Sequence, residues 1–186
     1  VQFVTSTSDD GRKKLGTVVP ILVDFTENIF VKGTPTLTLE MAGNTDAVVN
    51  YTSGSGNDTL VFNYTVAAGN LSADLDYVAT TSLVVDTSML DIAGNALVTA
   101  LATPGEANSL SANKAIIIDG VVPSIDSVST TTVDGYYNEG DSLDIVVFSS
   151  EALVVTGTPK ITLETGESDA SVTFKSNLNS QQLLYG

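Results

Sequence analysis

Asn113–Pro123, NKAIIIDGVVP, decides how the chain is read. Its first half has the period-two pattern of a β-strand, with Ile116 and Ile118 on one face. Its second half, ending at Pro123, is a hinge. Upstream of this stretch the sequence reads as one complete β-domain. Downstream the same domain begins again. The predicted boundaries are therefore 1–122 for a full copy and 123–186 for the N-terminal half of a second.

The duplication is visible residue by residue. Gly33-Thr34-Pro35 returns 124 residues later as Gly157-Thr158-Pro159. The same shift carries Val4 to Val128, Asp10-Gly11 to Asp134-Gly135, Gly16 to Gly140, Ile21 to Ile145 and Leu39-Glu40 to Leu163-Glu164. A one-residue deletion then carries Asp46-Ala47 to Asp169-Ala170 and Leu60 to Leu183. Gly186 falls opposite Asn63, so the later half of the repeat has no counterpart. Leu183, Leu184 and Tyr185 then lack the strands that should cover them, and an open apolar edge invites aggregation. Either the second copy is truncated, the preferred reading, or another chain completes it.

Within the first copy, alternation is nearly everywhere. Val19, Ile21, Val23 and Phe25 share one face, as do Leu37, Leu39 and Met41, and Leu60, Phe62, Tyr64 and Val66. Pro20 has no amide to donate, which predicts a free side on its strand. Turns fall at Asp9-Asp10-Gly11, Ala42-Gly43-Asn44, Gly54–Asn57, Ala68-Gly69-Asn70, Ala93-Gly94-Asn95 and Pro104-Gly105, where Gly and Asn supply positive φ. Seven or eight strands result; the alternative to seven is an eighth at 96–102, which would send Asp119 to the other end of the domain. The fold class predicted is all-β: tandem immunoglobulin-like β-sandwich domains, the second incomplete. Tyr77 reads as a half-buried strand aromatic, with a tyrosine corner as the alternative. Phe148-Ser149 stands where the first copy has Asp24-Phe25. Either a bulge re-phases that strand or Phe148 faces outward.

Composition narrows the function. Seven basic residues against 22 acidic ones give a net charge of −15. Nucleic acid needs basic stripes, so it is a poor partner, and an anionic membrane surface is equally disfavoured. No run approaches a membrane span, so direct insertion is not expected. Without Cys or His there is no disulfide, no Cys/His zinc site and no Ser-His-Asp triad. The acidic residues are scattered over turns with no cleft, so a glycosidase pair is rejected and no enzyme is expected. The chain opens at Val1 without Met or a signal segment, which reads as a mature product or a fragment.

The chain resembles the bacterial immunoglobulin-like repeats of large surface and secreted adhesin-type proteins. The resemblance rests on Gly140–Ile145, Val155–Pro159, Leu163–Gly166, Tyr51–Gly56, Ser72–Tyr77, Asp91–Asn95 and Asn113–Pro123, in that family's style, and spans essentially the whole chain. Leu15–Pro20 departs from the Gly-Asp-x-Leu-Asp-Ile run that the second copy keeps, marking the first copy as divergent. The resemblance implies an extracellular location, at the bacterial cell surface or secreted, and a role in cell adhesion as stalk or fibre. Expected partners are neighbouring repeats of the same or another chain and a host-surface or matrix ligand. The alternatives are a glycan- or protein-binding module, for which Tyr136-Tyr137 is the suggestive pair, and a filament subunit that uses strand addition.

Calcium is the cofactor expected at the junction between copies, because hard cations take oxygen ligands. With the seven-strand topology, the 67–76 connection lies at the same end as Asp119. Asp74 and Asp76 alternate and should point to one side. Asp119, Asp126 and Glu151 would complete the shell. Turn capping is the competing role for each. Asp91 and Asn95 form a second candidate at the other end, where a plain turn is preferred. The sequons at Asn50, Asn57, Asn63 and Asn70 carry little weight, and a Lys114 isopeptide bond would need a buried lysine beside a carboxylate.

Overall fold

The structure, a computed structural model, describes residues 1–43, 45–85 and 89–186. The third residue of the predicted 42–44 turn, Asn44, lies outside them. The chain divides into two compact units, Val1–Val122 and Pro123–Gly186. Both are built almost wholly from antiparallel strands. Among the described residues, no helix is long and apolar enough to cross a membrane.

In unit 1 the alternating runs become strands because one face of each can be buried and the other left wet. The strands are β1 (Phe3–Ser6), β2 (Gly11–Lys14), β3 (Val18–Ile29), β4 (Thr36–Leu39), β5 (Ala47–Ser53), β6 (Asn57–Thr65), β7 (Leu71–Ser72), β8 (Leu83–Val84) and β9 (Ile116–Asp119). One sheet has the order β1-β3-β6-β5-β4-β8, the other β2-β9-β7. The core lies between them. Ile21, Leu37, Leu39, Leu60 and Phe62 come from the larger sheet, Ile116 and Ile118 from the smaller, and Leu75, Tyr77 and Leu110 from the connections; all are essentially inaccessible. Pro20 sits one residue past the end of the β1 ladder, so its missing amide costs no strand pairing there, and its carbonyl accepts the Ser6 hydroxyl at 2.6 Å. Unlike the rest, β2 and β9 pair in parallel, Gly11 opposite Ile116 through Lys14 opposite Asp119.

Unit 2 contains β10 (Ile125–Thr130), β11 (Ile145–Ser149), β12 (Lys160–Leu163), β13 (Ala170–Asn179) and β14 (Gln182–Tyr185), in the order β10-β11-β14-β13-β12. This is the order of β1-β3-β6-β5-β4, and the register is copied as well. Val4 faces Val23 as Val128 faces Val147, and Leu37 faces Val49 as Ile161 faces Val172. Tyr51 meets Phe62 edge-on at 6.1 Å between ring centres, and Phe174 meets Tyr185 edge-on at 5.9 Å. Gly33 and Gly157 both hold positive φ, 85° and 76°, at the recurring Gly-Thr-Pro turn, where a Cβ would be strained. The sequence repeat is thus a repeat of pairing register.

Three expectations change. No strand forms at 96–102; Ala96 makes only an isolated bridge with Leu90, and the following segment is pinned singly, as by Leu101 N–H on Thr80 O at 2.9 Å. Tyr77 is fully buried rather than half-buried and makes only an isolated bridge, with Leu39. Its hydroxyl donates to Ala102 O at 2.7 Å, far downstream, so it anchors the strandless segment. Around Phe148 a bulge does occur, but on the partner strand: Ile125 faces Ser149, Ser127 faces Phe148, and Asp126 is the extra residue. Along β11 the alternation continues, with Val147 in the apolar cluster and half-buried Phe148 on the opposite face.

Candidate functional site

Within unit 1, the carboxylates expected to share a cation fall into two places. Asp74 and Asp76 lie on an irregular stretch of unit 1. A bend at 73–74 breaks the alternation that would have aimed both side chains one way. Asp74 is exposed and Asp76 is buried. Partial desolvation raises the Asp74 carboxyl above its ordinary value, and the nearby Asp76 charge adds to the rise.

Asp76 is taken up by the fold. Its Oδ1 accepts the Tyr77 amide at 2.9 Å. Its Oδ2 accepts the Gly105 amide at 3.0 Å and the Ser111 hydroxyl at 2.7 Å. Ser111 belongs to α1 (Leu110–Asn113), the short turn of helix that leads into β9, and Ser109 caps that turn by accepting the Ala112 amide. A buried carboxylate therefore holds the segment that delivers the closing strand.

Asp119 lies elsewhere. It faces Leu71 across the β7–β9 ladder, whereas the Leu75 amide donates to Ile116 O at 2.7 Å. Three residues of strand, about 10 Å, separate the two levels. The 67–70 turn does sit beside Asp119-Gly120, but the two aspartates of the connection do not. Asp119 Oδ2 already takes a cation, the Arg12 guanidinium at 2.6 Å. Its Oδ1 is buried without a hydrogen-bond partner among the described residues.

In unit 2, Asp126 is the exposed bulge residue and Glu151 is half-exposed just past β11. The chain brings their neighbourhoods together: the Ser150 amide donates to Ser124 O, and Ser150 Oγ accepts the Ser124 amide, each at 2.9 Å. Among the described residues, no three Asp or Glu side chains gather as a metal-ligand group. Within unit 1, Asp74, Asp76 and Asp119 do not fit a calcium shell. One faces solvent, one is filled by protein donors, and one is paired with arginine.

The second candidate, Asp91 with Asn95, is a closed turn. Asn95 donates its backbone amide to Asp91 Oδ1 and its side-chain amide to Oδ2, both at 2.7 Å. Those bonds hold the Asp91 carboxyl below the usual carboxylate range.

Two features escaped sequence reasoning. Lys114 Nζ meets Asp10 Oδ1 at 3.0 Å, and the Ala115 amide donates to the same oxygen at 3.2 Å. Asp10, which reads from sequence as a turn residue, therefore seats the start of β9, and its carboxyl lies below its ordinary value, chiefly through the Lys114 bond. The signal was the duplication itself, since Asp10-Gly11 is one of the pairs the second copy keeps. The other feature is a groove of about 850 Å³ along the outer face of β5 and β6, lined by Asn50, Thr52, Asn63 and Thr65. It opens because β5 pairs with β6 at Tyr51–Ser53 but with β4 at Ala47–Asn50.

Burial also marks two phenols. Desolvation pushes Tyr64 up to about 12, and desolvation with the Asp76 charge pushes Tyr77 up to about 12. A folded-state pKa raised above the unfolded value of about 10 favours the native state fully below pH ~10. That advantage is lost between pH ~10 and ~12, by about 2–3 kcal/mol for each phenol. Ultraviolet difference titration of Tyr64→Phe and Tyr77→Phe should each delete an ionisation near pH 12. Loss of a step near pH 10 instead would show that the phenol is not held in the core.

Comparison with protein-family models, with curated proteins and with solved structures finds no match to this chain.

Proposed function

We propose that this chain is a force-bearing segment of an extracellular bacterial surface or fibre protein. In this reading it belongs to an array of immunoglobulin-like repeats that holds a binding element away from its attachment and contacts neighbouring repeats. The observation that supports it best is the parallel pairing of β2 with β9, one near the start of unit 1 and one near its end. When a chain is pulled by its ends, parallel terminal strands slide past each other, and the evenly spaced ladder bonds are strained together. Antiparallel terminal strands would unzip one bond at a time. Tandem recurrence of one register, unit after unit, is also what a polymer of equivalent links requires. The charge of −15 keeps such a polymer soluble.

Single-molecule pulling of the 1–186 chain by its ends tests this. Unit 1 should open in one discrete event that frees roughly 400 Å of chain, since its 122 residues extend by about 3.3–3.6 Å each. Because the carboxylates of unit 1 do not converge, excess chelator should leave that event in place. Gradual yielding without a discrete step would remove the force-bearing reading. A step present in calcium and lost in chelator would restore a cation to the unit.

A further inference from the structure

The two units share the first half of a repeat and differ in the second. In unit 1, Ile21, Leu37 and Leu39 are fully buried. Their counterparts Ile145, Ile161 and Leu163 remain half-exposed, although β11 keeps the neighbours of β3 and β12 keeps the register of β4 with its β5 partner; only β8, on the far side of β4, has no counterpart. What covers the face in unit 1 is the 66–119 segment, ending in β9.

Unit 1 therefore displays how the face is covered. The closing strand runs parallel to β2. The Gly11 amide donates to Ala115 O at 2.7 Å. Asp10 accepts the Ala115 amide and pairs with Lys114. Every receiving element recurs in unit 2. Asp134-Gly135 repeats Asp10-Gly11, and Gly135–Asn138, the counterpart of β2, is exposed and belongs to no strand. Beside it lies a cavity of about 390 Å³ between Val133, Tyr137, Leu143 and Ile145, with Asp134 and Gly135, the counterparts of Asp10 and Gly11, also in its wall.

We propose that the open face of unit 2 is a docking site for a polypeptide segment of the same kind as residues 66–119. Its seat is a strand of the pattern Lys-Ala-Ile-Ile-Ile-Asp, parallel to Gly135–Asn138, with its lysine on Asp134. Charge and backbone select this occupant. An occupant that covers the face takes Asp134 and the 135–138 backbone out of water, so it must bring a cation and an amide to the carboxylate and a ladder to the backbone. A lipid or a second apolar sheet face would cover the isoleucines and leave both unmet. Tyr136 stands where Arg12 stands, so the strand's aspartate meets a phenol rather than a guanidinium. The inference rests on the internal repeat and is independent of any force-bearing role.

The test titrates the 1–186 chain with a synthetic peptide of residues 109–122, followed by amide NMR and hydrogen exchange. A 66–122 fragment serves as a second, larger probe. Saturable binding is expected, with new protection at 135–138. Asp134→Asn, an exposed change that leaves the circular dichroism spectrum unaltered, should weaken binding roughly tenfold, the worth of one charge-assisted hydrogen bond. The peptide with both Ile116 and Ile118 replaced by Asp should not bind. The proposal is overturned if neither probe saturates at millimolar concentration, if the shifts fall on unit 1, or if Asp134→Asn binds as well as the parent. Sedimentation equilibrium of the chain alone supplies a further check: a dimer that excludes both probes would assign the face to a second copy.

Discussion

Asp76→Ala should destabilise unit 1 by about 3–5 kcal/mol, since it removes three hydrogen bonds to a charged group, each worth about 1.5–3 kcal/mol before water takes over the exposed donors. The carboxylate is 5% exposed and accepts three hydrogen bonds. Alanine would leave the buried Tyr77 amide without its acceptor, which costs more than the bond contributes when made, and would free the Gly105 amide and the Ser111 hydroxyl, both nearer solvent, from the carboxylate that ties them together. The loss would not stay local. Gly105 and Ser111 belong to the stretch between Tyr77 and β9, so releasing them loosens the closing strand and the apolar face beneath it. Asp76→Asn should cost less, about 1–2 kcal/mol, because one oxygen still accepts while the amide nitrogen opposes the donors at the other. Thermal denaturation of the two variants gives the comparison. For a unit of this size the alanine change should lower the midpoint by roughly 10–20 °C. An alanine variant that melts within a few degrees of the parent would show that the three bonds are replaced by water at no cost. Equal losses in both variants would show that volume rather than charge matters.

Gly120→Ala should be nearly as damaging, by about 3 kcal/mol, through overpacking alone. Gly120 docks against the 67–70 turn. Its amide donates to Asn70 O at 2.7 Å, and its carbonyl accepts the Gly69 amide at 3.0 Å. A Cβ built there would lie 2.1 Å from Ala67 O and 3.0 Å from Asn70 O, both backbone atoms. Neither can turn aside as a side chain would, so the strand end or the turn must separate and both bonds go with it. Hydrogen exchange at Gly69 and Gly120, with the denaturation midpoint, measures the effect. Retained protection at both amides and a loss under ~1 kcal/mol would mean that the turn re-forms around the methyl group. The result bears on the whole 113–123 stretch. Read along the chain, Asp119-Gly120 begins the hinge; in the fold, Gly120 is clamped, and the ladder of β9 extends to it.

Most of the sheet framework was legible because burial of one face imposes a period of two, and that period can be counted. Val19, Ile21 and Val23, with Leu60 and Phe62 opposite, occupy the core as their alternation predicts. The duplicated Gly-Thr-Pro and Leu-Glu pairs carried further than expected, since pairing register followed them strand for strand. Where no period exists, reading along the chain failed. The 96–105 stretch holds its place through single contacts, such as Tyr77 hydroxyl to Ala102 and Leu101 to Thr80, and a strand at 96–102 has no ladder to join. The candidate site suffered for the same reason. Asp74 and Asp76 were assigned a common direction from alternation, but a bend separates them, and neither spacing nor composition announces a bend.

Local reading was enough to show an all-β chain in which the same order of turn motifs and alternating strands recurs 124 residues on, with an acidic composition. Those properties follow from local periodicity, turn chemistry and counting. Folding settled which acids stay exposed and which are consumed. Asp76 and Ser111 are 35 residues apart, and Asp10 and Lys114 stand on opposite ends of unit 1, so each meets its partner only when the strands close. It also decided that β9 runs parallel to β2. A strand's pattern records which face is buried but not the direction of its neighbour, which depends on how the connections return the chain across the core.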